Sequence, residues 1–305
     1  MEMKTMGKRS ETSEIAEIAV ISPASITCMF TPVRKDDPKK SGSYGVGIAL
    51  KNGSACVCRK TAGSGVKIRF SGCGEVETVL KALSILLHRM DDCVGEDTGV
   101  ELELKPNYPV GCGFGMSASL TLSALLSLHS IYFLHTPHSS KCVEVLELAD
   151  IAHEAEVLSS TGLGDVVTQV HGGIVCRLKP ACPSLALVKK VQLDVRYFDV
   201  LVLGELDTGE ALREYDFSTG VSRMKEFIRR PTVEELFRQS KAFAIESGVM
   251  DDEVLDVVEA VEAGGGMASM VMLGKAVFAV NGFDAMKEFG EPFRAEIDFG
   301  GLLTH

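Results

Sequence analysis

An α+β fold is predicted for this chain, because strand-like and helix-like segments mix along it without the strict alternation of a doubly wound sheet. The segment Val100-Glu-Leu-Glu-Leu-Lys105 alternates apolar and polar residues as a half-exposed strand does, whereas a central parallel strand is usually apolar throughout. The length, 305 residues with 46% apolar content, supplies core for one large domain or two modest ones.

The first ordered segment is expected at Ile15 to Phe30, after a polar tail over residues 1–14 that lacks the apolar centre of a signal peptide. Strands are expected at Gly42 to Gly53, Ala55 to Arg59 and Val66 to Phe70, the last two separated by Gly63-Ser-Gly65. Val76, Val79, Leu80, Leu83, Leu86 and Leu87 share a face, which predicts a helix over Val76 to Met90. The nearly uncharged stretch Met116 to Leu134 predicts a central, buried helix. A further helix is expected over Val143 to Leu158, stopped by Gly162-Leu-Gly164. Strands follow at Gly173 to Leu178, Ala186 to Leu193 and Phe198 to Leu203. Helices are expected at Glu210 to Tyr215, Val221 to Ile228, Thr232 to Ser247 and Asp251 to Glu262. A hairpin turns around Gly274-Lys275, then come a short helix from Phe283 and a last strand over Arg294 to Phe299. The prolines Pro180 and Pro183 mark the best candidate domain boundary, which divides the chain into 15–182 and 183–305.

Composition excludes several classes of function. A net charge of −11 argues against a broad nucleic-acid surface. No apolar run is expected to span a membrane. Nine scattered cysteines, without a CxxC pair, leave zinc-site spacing absent and fit a reducing cytoplasm.

The segment with most chemical content is Pro109-Val-Gly-Cys-Gly-Phe-Gly-Met-Ser-Ala-Ser119. Gly111, Gly113 and Gly115 let the backbone approach a ligand, and the helix that follows adds its positive dipole end. The run Gly111, Gly113, Phe114, Gly115, Met116, Ser117, Ala118 and Ser119 is therefore a candidate anion cradle, most plausibly for phosphate. A first-turn serine such as Ser117 can also reach a magnesium ion held by the same phosphates. Neither common phosphate fingerprint fits. The P-loop needs a Lys-Ser or Lys-Thr pair where Met116-Ser117 stands, and the dinucleotide motif needs a small residue at Met116. The plainer reading is a glycine-rich turn before a buried helix.

Glu156, in Ala152-His-Glu-Ala-Glu-Val157, and Asp165, in Thr161-Gly-Leu-Gly-Asp165, form a second constellation. Phosphoryl transfer to an alcohol needs a carboxylate near the attacking hydroxyl and oxygen ligands for magnesium, and these two can divide those tasks. Read singly, each is a solvated helix-end charge or a turn residue. His153 reads more simply as a half-buried helix histidine. A third element joins Ser22-Pro-Ala-Ser-Ile-Thr27 to a basic, hydroxyl-rich loop. Arg34, Lys39, Lys40, Ser41 and Ser43 there suit a small carboxylate or phosphate ligand, with a solvated turn as the simpler alternative.

These three elements, in this order, resemble the GHMP kinase superfamily of galactokinase, homoserine kinase and mevalonate kinase. Pro109 to Ser119 is similar to its phosphate loop, and matches spread from about Ile18 to Val280. Within the superfamily the chain is most similar to the archaeal pantoate-kinase branch, through Asp36-Asp-Pro38, Ser41-Gly-Ser43, Ala152-His153, Ala155-Glu-Val157, Thr161 to Val166 and Ala268 to Gly274. The resemblance implies a ribosomal-protein-S5-like N-terminal domain and a ferredoxin-like C-terminal domain. It also implies ATP and Mg2+ as cofactors, a small hydroxy-acid substrate and a homodimer. It places magnesium on Ser117 and Glu156, with Glu154 as rival, and the catalytic aspartate on Asp165. The branch usually carries histidine where Ser25 stands, next to the acceptor, so Ser25 is a candidate substrate contact. That replacement keeps two alternatives open: a kinase of mevalonate or a mevalonate phosphate, and a catalytically silent nucleotide-binding relative.

Overall fold

In the computed structural model, residues 17–90, 98–133 and 143–302 are described. The expected tail over 1–14, together with Cys93 and Cys142, lies outside them. The first sheet holds β1 (Glu17–Val33), β2 (Gly42–Phe70), β3 (Thr98–Pro106), β4 (Ile174–Lys179) and β5 (Leu187–Val191). Its order is β1-β2-β4-β5, and β3 pairs with β2. Three expected strands merge into β2. A bulge absorbs the first break: Ala24 pairs with Leu50 and Ser22 with Ser54, so extra residues on β2 oppose Pro23. Asn52 sits there with φ +56°.

Between the strands run α1 (Glu77–Arg89), α2 (Met116–Phe133), α3 (Val145–Ser159) and α4 (Asp165–His171). Among the described residues α2 alone, with mean hydropathy 1.3, is long and apolar enough to cross a membrane, contrary to the reading from sequence. It is instead 78% buried, packed on β1 and β2 and between α1 and α3. α3 ends at Ser159, one residue past the expected Leu158, and the stop is Ser160 rather than the glycine pair. Ser160 takes the left-handed conformation at φ +57°, and its N–H closes on the Val157 carbonyl. The glycines then lead into α4, which the sequence hides because Asp-Val-Val-Thr-Gln-Val-His is β-branched.

The second sheet holds β6 (Tyr197–Gly204), β7 (Met267–Val271), β8 (Lys275–Val280) and β9 (Phe293–Glu296), in the order β7-β8-β6-β9. All its pairings are antiparallel. With α7 (Val233–Ser247) and α8 (Asp252–Ala263) crossing from β6 to β7, and short α9 (Phe283–Met286) between β8 and β9, this is the ferredoxin-like order. The short helices α5 (Thr208–Glu214) and α6 (Gly220–Arg229) precede them. β5 still belongs to the first sheet, so the change of sheet falls between Val191 and Tyr197 rather than at the expected boundary of 182. The last strand is also shorter than expected: β9 stops at Glu296, and Ile297 bridges back to Leu50 of the first sheet.

Aromatic contacts join the halves. Phe30 of β1 stacks near Phe217 and Phe243, at centroid distances of 4.5 and 5.9 Å. Full burial of such rings contributes about 2–3 kcal/mol each, so the two sheets hold one another across the cleft between them.

Candidate active site

The glycine loop lies where the halves meet. Its carbonyls are taken by protein donors: Leu206 N–H bonds Gly111 O, Ser25 N–H bonds Phe114 O, and Gln169 Nε2 bonds Gly115 O, at 3.0, 3.0 and 2.9 Å. Oxygens that would repel an anion are thus turned away from the cavity. Gly111, Gly113 and Gly115 have φ of +80°, +87° and +58°, a region that disfavours any side chain. α2 begins at Met116, and Ser119 N–H already closes on Gly115 O, so the earlier N–H groups of the first turn remain for a ligand. A cavity of about 540 Å³ lies over this helix end, lined by the loop, Ser117, Thr161, Asp165, Glu205, Asp207, Thr208 and Arg213.

A second contact shapes the loop. The reduced glycine motif of the hairpin β7–β8 presses on it, because a Cβ on Gly274 would strike the Cys112 backbone. A Cβ on Gly113 would lie 2.7 Å from Val271 Cγ1. Gly113→Val is therefore expected to reduce ATP affinity at least about tenfold and to lower Tm as well, since the second sheet must move. Calorimetric titration and a thermal melt read both effects. Normal ATP affinity in a folded variant excludes the cradle.

Two carboxylates converge at Gly162. A Cβ there would meet Glu156 Oε2 and would lie 3.2 Å from Asp165 Oδ2. Glu156 is buried, and its Oε1 has no hydrogen-bond partner. Burial pushes its carboxyl up to about 7, with Asp165 adding to the rise and the Ser117 and Thr161 hydroxyls opposing it. An orphaned buried carboxylate oxygen beside a serine hydroxyl at the phosphate loop fits a magnesium ion, which takes one or two protein oxygens plus phosphates. Among the described residues no three His, Cys, Asp or Glu side chains form a cage of their own. The rival Glu154 is turned toward Arg89, with Nη2 to Oε2 at 3.8 Å.

The Glu156 shift has a measurable consequence. The folded chain holds this proton more tightly than the unfolded chain, so the stabilisation is complete below the ordinary Glu value and fades as pH rises through about 7. Metal-free wild type is expected to lose Tm relative to Glu156→Gln between about pH 5 and pH 8. Parallel melting curves for the two proteins across that range contradict the assignment.

Asp165 opens α4 and is half-buried, lining the cavity. Burial raises its carboxyl, while the positive charge of Arg177 and the hydroxyls of Ser25 and Thr27 pull it down. Arg177 is only 1% exposed and extends from β4, donating Nη1–H to Thr168 Oγ1 at 2.8 Å and Nε–H to Ser43 O at 3.4 Å. A small recess beyond Asp165 is lined by Ser43, Gly162, Leu163, Gly164, Arg177 and Leu212.

The remaining expected residues divide. Ser43 borders the recess and donates to Leu163 O at 3.2 Å. Arg34 reaches Ser160, on the cavity wall, at 3.3 Å. Lys39 and Lys40 line neither space, and Lys40 pairs with Asp37 at 3.0 Å. Ser41 is buried, its hydroxyl closed on the Lys35 backbone, so this loop is tied down rather than open to a ligand. His153 Nε2 meets Ser41 O at 3.0 Å and anchors the same loop from α3. Ser119 also departs from expectation, since its hydroxyl bonds Ser54 and faces the core at 2.9 Å. Phe114 turns its ring onto Tyr108, and Ala118 is buried, so these two can serve a nucleotide only through their backbone. Ser25 is buried and donates to Asp165 Oδ1 at 3.0 Å instead of standing open to an acceptor.

Sequence reasoning missed Thr27, Gln169, Arg177, Glu205, Asp207, Thr208 and Arg213. One signal was available: Arg177 interrupts the apolar strand Ile-Val-Cys-Arg-Leu, where an arginine needs a reason to be.

The family described as GHMP kinases N terminal domain matches residues 77–173, which span α1 to α4 with the phosphate loop between them. The pantoate kinase of Methanospirillum hungatei is 30% identical over 291 residues, covering 94% of this chain and 96% of its own. The pantoate kinase of Thermococcus kodakarensis is 30% identical over 275 residues, covering 86% and 87%. A solved structure described as a phosphotransferase related to the CoA biosynthesis pathway superposes with a TM-score of 0.81 at 26% identity, over 93% of this chain and 97% of that one. Similarity that runs through both sheets, the glycine loop and the paired carboxylates leaves one assignment: the chain belongs to the GHMP kinases, in the family of the archaeal pantoate kinases.

Proposed function

We propose that this protein transfers the γ-phosphoryl group of ATP to the primary hydroxyl of pantoate, giving 4-phosphopantoate for coenzyme A synthesis. The convergence of Asp165 and Glu156 on Gly162, beside the first turn of α2, carries the reading. In this reading Asp165 is the acceptor-side carboxylate and Glu156 the metal-side one, both close to the same point.

The loop Gly111 to Met116 receives the phosphates through its backbone, with the helix dipole behind it. Ser117 and Glu156 would hold Mg2+, whose charge would offset that of the phosphates. Asp165 orients the acceptor hydroxyl and takes its proton late, as a loose transition state requires. Burial disfavours the ionised form of Asp165, and the Arg177 charge opposes that while giving the recess the positive charge that a hydroxy acid's carboxylate needs. A cytoplasmic location is part of this reading, and the free, mostly buried cysteines of the described residues support it.

Ser25 no longer supports a mevalonate-type acceptor, because its hydroxyl is committed to Asp165. Steady-state assays with pantoate, pantothenate, mevalonate and homoserine, each with ATP and magnesium, test the reading. Pantoate is expected to exceed the others at least about a hundredfold in kcat/KM. Higher kcat/KM with mevalonate, or turnover of none of the four, overturns it.

A further inference from the structure

Asp165 and Gln169 stand one helical turn apart on α4 and so share a face. Gln169 is completely buried. Its Nε2 lies 2.9 Å from Gly115 O of the phosphate loop and 3.1 Å from Ser25 Oγ. Because Gly115 O can only accept, the amide nitrogen must face it, and the second N–H is then free to donate to Ser25. The Ser25 hydroxyl, having accepted, donates its own proton to Asp165 Oδ1 at 3.0 Å. The polarity of the whole row is thereby fixed, from amide to hydroxyl to carboxylate. The Ser25 main chain is held as well, its N–H bonded to Phe114 O. The cost of this arrangement is visible at the other end of the amide, where Gln169 Oε1 is buried without a partner. An orphaned buried carbonyl is tolerated only where something else holds the side chain in place.

We propose that Gln169, acting through Ser25, aims Asp165: the row occupies Oδ1 and leaves Oδ2, on the Gly162 side, for the acceptor hydroxyl. The same amide ties the last glycine of the phosphate loop to the carboxylate, so closure of the loop on a nucleotide and the aim of Asp165 are one mechanical unit. The inference rests on the role assigned to Asp165 above. It makes Ser25 and Gln169 positioning residues, and it replaces the expectation that Ser25 touches the substrate. A second contact reinforces the geometry: a Cβ on Gly115 would lie 2.5 Å from Ser25 Oγ and 3.0 Å from Asp165 Cγ, so the glycine, the serine and the aspartate pack with no space between them.

The test uses Ser25→Ala, Gln169→Met, the double variant, and Ser25→Ala combined with Asp165→Asn. Each single variant is expected to lower kcat at least about tenfold, as a misaimed group does, with KM for ATP and for pantoate within about threefold of wild type. The double variant is expected to be no slower than the slower single variant, because both remove one row. In the Asp165→Asn background, Ser25→Ala is expected to add nothing. Should Gln169→Met melt below the assay temperature, Gln169→Glu keeps the shape but replaces donors with acceptors, and carries the same expectation. Losses that multiply in the double variant overturn the proposal. So does a large rise in pantoate KM with kcat preserved in Ser25→Ala, which would make Ser25 a substrate contact. Unimpaired turnover in Asp165→Asn alone removes the base itself and overturns the earlier reading together with this one, whereas a dead Asp165→Asn beside healthy Ser25 and Gln169 variants overturns only the relay.

Discussion

Asp165→Asn is expected to lower turnover at least about a hundredfold, the lower end for loss of a general base. Nucleotide affinity should stay near normal, because the loop would receive the phosphates through backbone N–H groups that the substitution leaves in place. Asparagine keeps the size of the side chain and can still accept from Ser25, so the orientation row survives. What disappears is the negative charge. That charge faces Arg177, which is 1% exposed and whose own protonated form is disfavoured by burial and favoured by Asp165. Removing one member of such a buried arrangement leaves the other uncompensated, so Tm should fall along with turnover. The two effects separate by measurement: calorimetric ATP binding at a temperature well below the melt isolates the folded fraction, and turnover is then corrected for it. Near wild-type turnover in that fraction would remove Asp165 from the chemistry.

The parts of the site legible in the sequence were those whose chemistry is local. A glycine run before an apolar helix makes a cradle from consecutive backbone groups, so Gly111 to Ser117 could be read without knowing where the chain goes. Glu156 and Asp165 were legible as carboxylates, and the bond from resemblance to role was short. The parts that were hidden depend on contacts over long separation. Ser25 meets Asp165 across 140 positions and Gln169 across 144, and nothing in either neighbourhood announces it. The basic loop misled for the opposite reason. Its charges and hydroxyls imitate a ligand site, yet Ser41 spends its hydroxyl on the Lys35 backbone, and Cys182 N–H ties Lys39 O from the far end of β4. α4 escaped because tertiary docking, with Thr168 and Gln169 fully buried, overrides a β-branched local preference. The ferredoxin-like order of the second sheet, by contrast, came from resemblance alone, and spacing could not have ordered four antiparallel strands.

Ser117→Ala is expected to reduce turnover about a hundredfold or more at ordinary magnesium, the range for losing stabilisation of transition-state charge. Glu156→Gln should act on the same ion by a different route, chiefly by raising the magnesium concentration needed for half-maximal rate. Two observations separate these residues. Ser117 lines the cavity directly, where the proposed phosphates would sit. Glu156 is 2% exposed, with one oxygen unpartnered, and its affinity for a cation depends on its being ionised. Since burial lifts that carboxyl to about 7, magnesium must displace a proton at neutral pH, and the apparent magnesium requirement of wild type should fall as pH rises through that value. In Glu156→Gln this pH dependence should vanish. Glu154→Gln is the internal control: its carboxylate is turned toward Arg89 at 3.8 Å and Glu154 does not line the cavity, so its loss should leave the magnesium requirement within about twofold, as a partly exposed pair contributes little. Rates measured against magnesium for Asp165→Asn and Glu156→Gln together decide the division of labour. If excess magnesium rescued the Asp165 variant but not the Glu156 variant, the two carboxylates would have to exchange roles, with Asp165 on the metal and Glu156 on the acceptor.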